Sequence, residues 1–213
     1  MSTTPQRARR LHQRDAHRRV IASAIGATVL TLATAAAPAA LEKSGLDPRR
    51  LVLQESEVPA AYALDRPNSR FWPNAAVARN RADLTQLFAR TGRVNGYRST
   101  YKRVVGPRIR YISSTAETHR TSEGAGLYLS WIDAGQKKSN RTRERKGQEP
   151  YIRLRVGIGE RGWAYIEGPP AYYVLVAWRH GRVVGSVQTW GIGVQRTLAL
   201  ARTQQRRIAT TVR

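Results

Sequence analysis

Apolar and polar positions along the chain change period several times, and each change marks an element. Asp47-Pro48 sets an N-cap residue before a proline at the first helical position. Leu51-Val52-Leu53 is therefore expected in a short helix that stops before Pro59. Ala61 to Asp65 reads as a short strand, and residues 66–73, with Pro67, Trp72 and Pro73, read as a loop. Asn74 can cap a helix whose apolar positions, Val77, Leu84, Leu87 and Phe88, fit a period near 3.6, with Gly92 as its C-terminal stop.

The period then changes to two. Asn95-Gly96 turns the chain into a strand over Tyr97–Val105, Gly106-Pro107 reverses it, and a second strand runs from Arg108 to about Glu117. Tyr97, Ser99 and Tyr101 share one face, and Arg98, Thr100 and Lys102 share the other. Thr121 opens a helix with Glu123 in its first turn, where the macrodipole favours an anion. Ala125, Tyr128, Leu129 and Ile132 fall at i, i+3, i+4 and i+7, a single core-facing stripe. Residues 135–149 carry no apolar pattern and are expected to form a basic loop.

The last third predicts strands at Tyr151–Val156, Trp163–Glu167, Ala171–Arg179 and Arg182–Trp190, the final two joined by a tight hairpin at His180-Gly181. Val174, Val176 and Trp178 alternate with Tyr173, Leu175 and Ala177, so both faces of that strand are apolar, as in a central strand covered on both sides. A terminal helix from about Val194 to Val212 should face inward with Leu198, Ala201, Ile208 and Val212, and outward with Arg196, Arg202, Arg206 and Arg207. Hairpins rather than βαβ crossovers give an α+β class: a single antiparallel sheet with helices packed on it. No linker divides the roughly 170 residues after position 39, a length that suits one domain.

The start of the chain follows a different logic. Six arginines (Arg7, Arg9, Arg10, Arg14, Arg18, Arg19) precede an uncharged run, Val20 to Ala37, that ends in small residues. These are the three parts of a secretory signal peptide over residues 1–39, with Ala37-Pro38-Ala39 as the cleavage motif. An uncleaved signal anchor is the second reading. Either places the remainder in the cell envelope or outside the cell, because the arginines stay inside. The pairs Arg9-Arg10 and Arg18-Arg19 also suit a twin-arginine route.

Charge sharpens this picture. The 213 residues carry 37 Lys and Arg against 14 Asp and Glu, a formal charge of +23. Without residues 1–39 the balance is 31 against 13, a net of +18. Such a field attracts polyanions whatever residue supplies it. For an exported chain these are anionic envelope polymers or membrane surfaces, with nucleic acid a poorer partner. Lys137, Lys138, Arg141, Arg143, Arg145 and Lys146 concentrate the charge in one segment. With no aromatic interleaved, that segment supports electrostatic attachment or a plain solvated loop, and not base stacking.

Catalytic signals are sparse. The chain has no Cys, which excludes thiolate metal sites, disulfides and cysteine nucleophiles. Gly157-Ile158-Gly159-Glu160-Arg161-Gly162 matches a dinucleotide fingerprint literally, but the strand-like Trp163-Ala164-Tyr165-Ile166 follows where a helix is required, so a turn is expected. His119 and His180 belong to no metal-ligand spacing. Neither metal nor nucleotide cofactor is therefore expected. Glu160 and Glu167 are the candidates for a carboxylate-dependent hydrolase or transferase, the alternative to a non-catalytic binding module. Trp72, Trp131, Trp163, Trp178 and Trp190, with Tyr165, Tyr172 and Tyr173, read as core, or as the lining of a cleft for a small apolar ligand.

Four stretches carry a family resemblance: Leu51-Val52-Leu53-Gln54 with Val58-Pro59; Arg93-Val94-Asn95-Gly96-Tyr97; Val176 to Val187; and Leu198 to Ile208. With these the chain resembles a group of uncharacterised exported α+β proteins of GC-rich bacteria, a likeness that brings no site residues with it. The element order is also similar to the PsbP/Mog1-like sheet-and-helix fold, which implies an adaptor or accessory role. NTF2-like and cystatin-like sheets are the rival topologies.

Overall fold

The structure is a computed structural model and describes residues 45–106, 108–168 and 173–212. The segment expected to be a signal peptide, residues 1–39, and Tyr172 lie outside the described residues. Asp47 accepts a hydrogen bond from the Arg49 amide and caps a 3₁₀ turn, Pro48–Leu51. A second such turn spans Glu55–Glu57. Strands β1 (Ala63–Leu64) and β2 (Arg70–Phe71) are two residues each, and both pair with β3 (Arg93–Val105). The helix expected from Asn74 is two pieces, α1 (Asn74–Val77) and α2 (Ala82–Thr91), broken where Asn80 takes φ +59°. Gly92 ends α2 in the left-handed region, as its sequence position predicts.

β3 and β4 (Arg108–His119) form a long hairpin, and α3 (Ser122–Arg145) follows with Thr121 as its N-cap. Strands β5 (Ile152–Arg155), β6 (Arg161–Ile166), β7 (Tyr173–His180) and β8 (Val183–Trp190) precede α4 (Val194–Thr211). All pairings are antiparallel, in the order β1-β3-β4-β8-β7-β6-β5 with β2 beside β3. The fold class is α+β, as the hairpin pattern implies.

Both faces of the sheet are covered. Val174, Val176 and Trp178 of β7 pack with Leu200, Ala201 and Ile208 of α4 and with Leu51 to Leu53. On the other face Ala177 and Val184 meet Leu84, Leu87 and Phe88 of α2 and Ala125, Tyr128 and Leu129 of α3. A polar column also crosses the first layer. Leu53 receives hydrogen bonds from Ser99 and Tyr101 on its carbonyl and donates its amide to Ser114. Ser114 in turn donates to Gln204 of α4, which donates to the Thr115 carbonyl. Each polar side chain of this column thus has a partner, which offsets the desolvation cost of burying it.

Three expectations need correction. Residues 135–149 are not a loop: α3 continues through Arg145, and Gly147, at φ +65°, follows its C-cap residue Lys146. The apolar stripe ends at Ile132, but Gln, Lys, Arg and Glu are good helix formers. Polar contacts then replace apolar burial: Asn140 bonds both backbone groups of Tyr151, and Arg143 bonds the Glu149 carbonyl. The β7–β8 turn residues are Gly181-Arg182, because His180 pairs with Val183 as the last residue of β7. Arg207 is not on the outer face of α4; it forms a bidentate ion pair with Glu57.

Candidate functional site

The six cations of the basic segment separate into two groups once they are on a helix. Lys137 sits 2.9 Å from Asp133 one turn earlier, and Arg143 sits 2.7 Å from Glu167. Arg143 also lies over the Tyr151 ring. These two are structural. Lys138, Arg141 and Arg145 recur at i, i+3 and i+7, so they form one stripe, and Lys146 continues it. All four are exposed, and none forms an ion pair with a carboxylate among the described residues. An open cavity of about 370 Å³ lies against Arg141, Glu144 and Arg145. Cations at the C-terminal end also face the negative end of the helix macrodipole, which steadies the last turns.

Asp133 is the anchor beneath that stripe. Its carboxylate accepts hydrogen bonds from Arg153 and from the Tyr165 hydroxyl. Burial works against its charge, but the bonds from Arg153, Tyr165 and Lys137 outweigh it and hold its pKa at about 2. Tyr165 moves the other way, to about 12, because burial and the neighbouring carboxylate disfavour a phenolate. Arg153 lies 3.5 Å over the Trp163 ring, so the cluster fastens α3 to β5 and β6.

The two carboxylates considered for catalysis flank β6 at opposite ends, roughly 20 Å apart at about 3.3 Å per residue. Acid–base pairs at a glycosidic bond stand about 5–9.5 Å apart. Glu160 accepts from the Gly181 amide and pairs with Arg179, and Glu167 pairs with Arg143. The structure does not bring them together. Gly157 to Glu160 bend into β6, which begins at Arg161, so the segment leads into a strand as its sequel predicts. Gly159 has φ +65°, and a Cβ there would lie 2.3 Å from the Arg179 carbonyl oxygen. That close approach explains the glycine without a ligand.

His119 is fully buried. Its Nδ1 lies 3.1 Å from the Thr91 carbonyl, which fixes the proton on that nitrogen, and its ring is 5.1 Å from that of Tyr128. Burial lowers its pKa. His180 contacts Gln205. His119 ends β4 and His180 ends β7, and no group of three or more His, Asp or Glu among the described residues could hold a metal ion.

The tryptophans do not converge either. Trp178 is core, Trp163 lies beside Arg153 and Arg161, and Trp72 lies beneath Arg98. Trp131 and Trp190 are exposed. A groove of about 510 Å³ runs beside Val52, Leu53, Tyr97 and Tyr101, and another of about 320 Å³ lies between α1, α2 and Arg93. Neither has a tryptophan in its wall.

Two features are not signalled by helical or strand period. One is a buried polar cluster around Arg93. The other is the end of the β3–β4 hairpin, where Val104 and Ile109 are exposed. The hairpin does carry a signal: Lys102-Arg103-Val104-Val105-Gly106-Pro107-Arg108-Ile109-Arg110 keeps apolar residues beside its turn, where polar ones usually stand.

No protein-family model matches the chain, and no curated protein matches it. Among solved structures, it is similar to the extracellular domain of PknH from Mycobacterium tuberculosis, at 11% identity and a TM-score of 0.46, covering 75% of this chain and 94% of that one. No residue is carried from that domain to this chain. No helix among the described residues is long and apolar enough to cross a membrane.

Proposed function

We propose that the protein is an exported, non-catalytic accessory module held at an anionic envelope surface by the outer stripe of α3. The observation that carries this reading is the arrangement of Lys138, Arg141, Arg145 and Lys146: exposed, on one side of a helix, and without carboxylate partners among the described residues. A helix braced by Asp133, Asn140 and Arg143 presents that charge at fixed spacing, so the stripe is a surface rather than a tethered arm. The residual charge of +18 after position 39 adds a long-range attraction to polyanions. The arginine-rich start, the uncharged run and the Ala37-Pro38-Ala39 boundary support export with removal of residues 1–39.

Two measurements on protein recovered from the envelope or medium of an expressing bacterium test this. N-terminal sequencing should find a chain beginning near Ala40; one beginning at Met1 or Ser2 contradicts processing. Substituting Lys138, Arg141, Arg145 and Lys146 together by Gln should weaken sedimentation with anionic wall polymer and anionic vesicles while lowering the unfolding midpoint only slightly, through the lost macrodipole contacts. Each cation near an anionic membrane contributes on the order of 1 kcal/mol. Undiminished binding by the four-Gln variant contradicts the proposal.

A further inference from the structure

β3 and β4 extend beyond the sheet that holds them. On one side β1 pairs with β3 only as far as Lys102, and on the other β8 pairs with β4 only from Tyr111. Among the described residues, 103–105 and 108–110 therefore pair only with each other. A free-standing hairpin end in water should carry polar side chains. This one carries Val104, 66% exposed, directly opposite Ile109, 45% exposed. The register places these two on the same face of the sheet as Tyr111 and Trp190, and Trp190 is 40% exposed.

The opposite face of the same hairpin end is cationic. Arg103 and Arg110 are cross-strand partners. Like charges set directly opposite in a ladder destabilise it, and neither arginine has an ion-pair partner among the described residues. The Arg110 stem lies over Gly191, where a Cβ would come within 2.9 Å of its Cγ. That contact holds the Arg110 stem against the chain just after β8, on the face opposite Trp190. An anion between the two guanidiniums removes the repulsion, and the exposed apolar pair, one step in from the Val105–Arg108 pair, gains from a medium without water. Anionic phospholipid headgroups over an acyl layer supply both; a hydrophilic polymer supplies only the first.

The basic end of α3 faces the same way. Asn140 and Arg143 fasten it to Tyr151 and Glu167, which lie at the strand ends nearest the hairpin. β4 and β6 are three strand spacings apart, or roughly 14 Å at ~4.8 Å each. Tyr151, Tyr173 and Trp190 bridge that interval in sequence, with ring centroids 5.4 and 5.9 Å apart. Aromatic rings of this kind favour the membrane–water interface.

We infer that the end of the β3–β4 hairpin is a membrane-inserting tip that docks on an anionic lipid bilayer, Val104 and Ile109 entering the acyl boundary while Arg103 and Arg110 hold headgroup phosphates. This rests on the proposed attachment through α3 and adds the identity of the surface. The absence of cysteine allows a single probe to be placed. Processed protein carrying Val104→Cys, labelled with an environment-sensitive fluorophore, is mixed with anionic vesicles, neutral vesicles and soluble polyphosphate. Thr210→Cys, exposed near the C-terminal end of α4 and so at the other end of the sheet, is the control.

On anionic vesicles the label at 104 should shift to the blue and become protected from an aqueous quencher, while the label at 210 should not change. Polyphosphate should bind both proteins without a shift. The substitutions Val104→Ser and Ile109→Ser together, which leave the charge unchanged, should lower vesicle partitioning roughly tenfold or more and leave polyphosphate binding unchanged. Binding to anionic vesicles with no shift at 104 overturns the tip and leaves attachment through α3 standing. Equal losses on vesicles and polyphosphate in the double-Ser variant also overturn it. No binding of the unlabelled protein to either anion overturns both readings.

Discussion

Arg93 of β3 and Glu117 of β4 meet as a buried ion pair, Nη2 2.8 Å from Oε1, with the arginine side chain wholly excluded from solvent. The same guanidinium donates to Asn74 and to the Trp72 carbonyl, and Glu117 also accepts from Tyr128 of α3. One pair thus ties α1, the sheet and α3 together. Gly96 leaves it room, since a Cβ there would lie 2.7 Å from Nη2. Removing one partner strands a buried charge, which costs about 3–5 kcal/mol. Urea unfolding of Arg93→Met and Glu117→Leu should each show a loss of that order, and the double variant should lose less than the two losses combined. Simple additivity contradicts the pairing.

Asp133 predicts an acid limb in stability. Its pKa of about 2 lies below the 3.8 of a free aspartate. A depressed carboxylate contributes stability that is present above the unfolded value and is lost as pH falls through the folded one. The contribution is ~2 kcal/mol. Asp133→Asn should therefore lower stability at neutral pH and flatten the fall between pH ~4 and ~2. Parallel pH profiles for parent and variant contradict this.

His119 predicts a second slope nearer neutrality. Burial lowers its pKa below 6.5, so the folded state keeps it neutral while the unfolded chain takes up a proton. Stability should be full above the unfolded value and fall as pH drops below it. His119→Asn preserves a donor towards the Thr91 carbonyl but does not titrate, so the slope below pH ~6.5 should shrink. Chemical denaturation across that range measures it; an unchanged slope assigns the titration elsewhere.

What could be read from sequence follows from what holds each element. The two-sided strand β7 announces itself because Val174, Val176 and Trp178 alternate with Leu175 and Ala177, all of them buried. Thr121 and Gly92 mark helix ends by the backbone groups they satisfy or the φ they adopt. The second half of α3 is silent because its partners are hydrogen bonds from Asn140 and Arg143, which leave no apolar period. Arg207 misleads for the same reason: like Gln204 and Thr197, it is a polar side chain of α4 that turns inward, the three meeting Glu57, Ser114 and Thr189 respectively. The stripe itself could be read as charge, but not as a spaced surface, until the helix sorted Lys137 and Arg143 from the other four.

Attachment by fixed charge is tested most directly by the salt dependence of binding to anionic vesicles, for parent and for the four-Gln variant at Lys138, Arg141, Arg145 and Lys146. Screening shortens the reach of exposed charge from about 10 Å at 0.1 M salt to about 3 Å at 1 M. The parent should bind far better than the variant at low salt, and the difference should close by ~0.5 M as the stripe is screened. Two curves that run parallel from low to high salt would contradict the account, because the stripe would then contribute nothing that salt can remove.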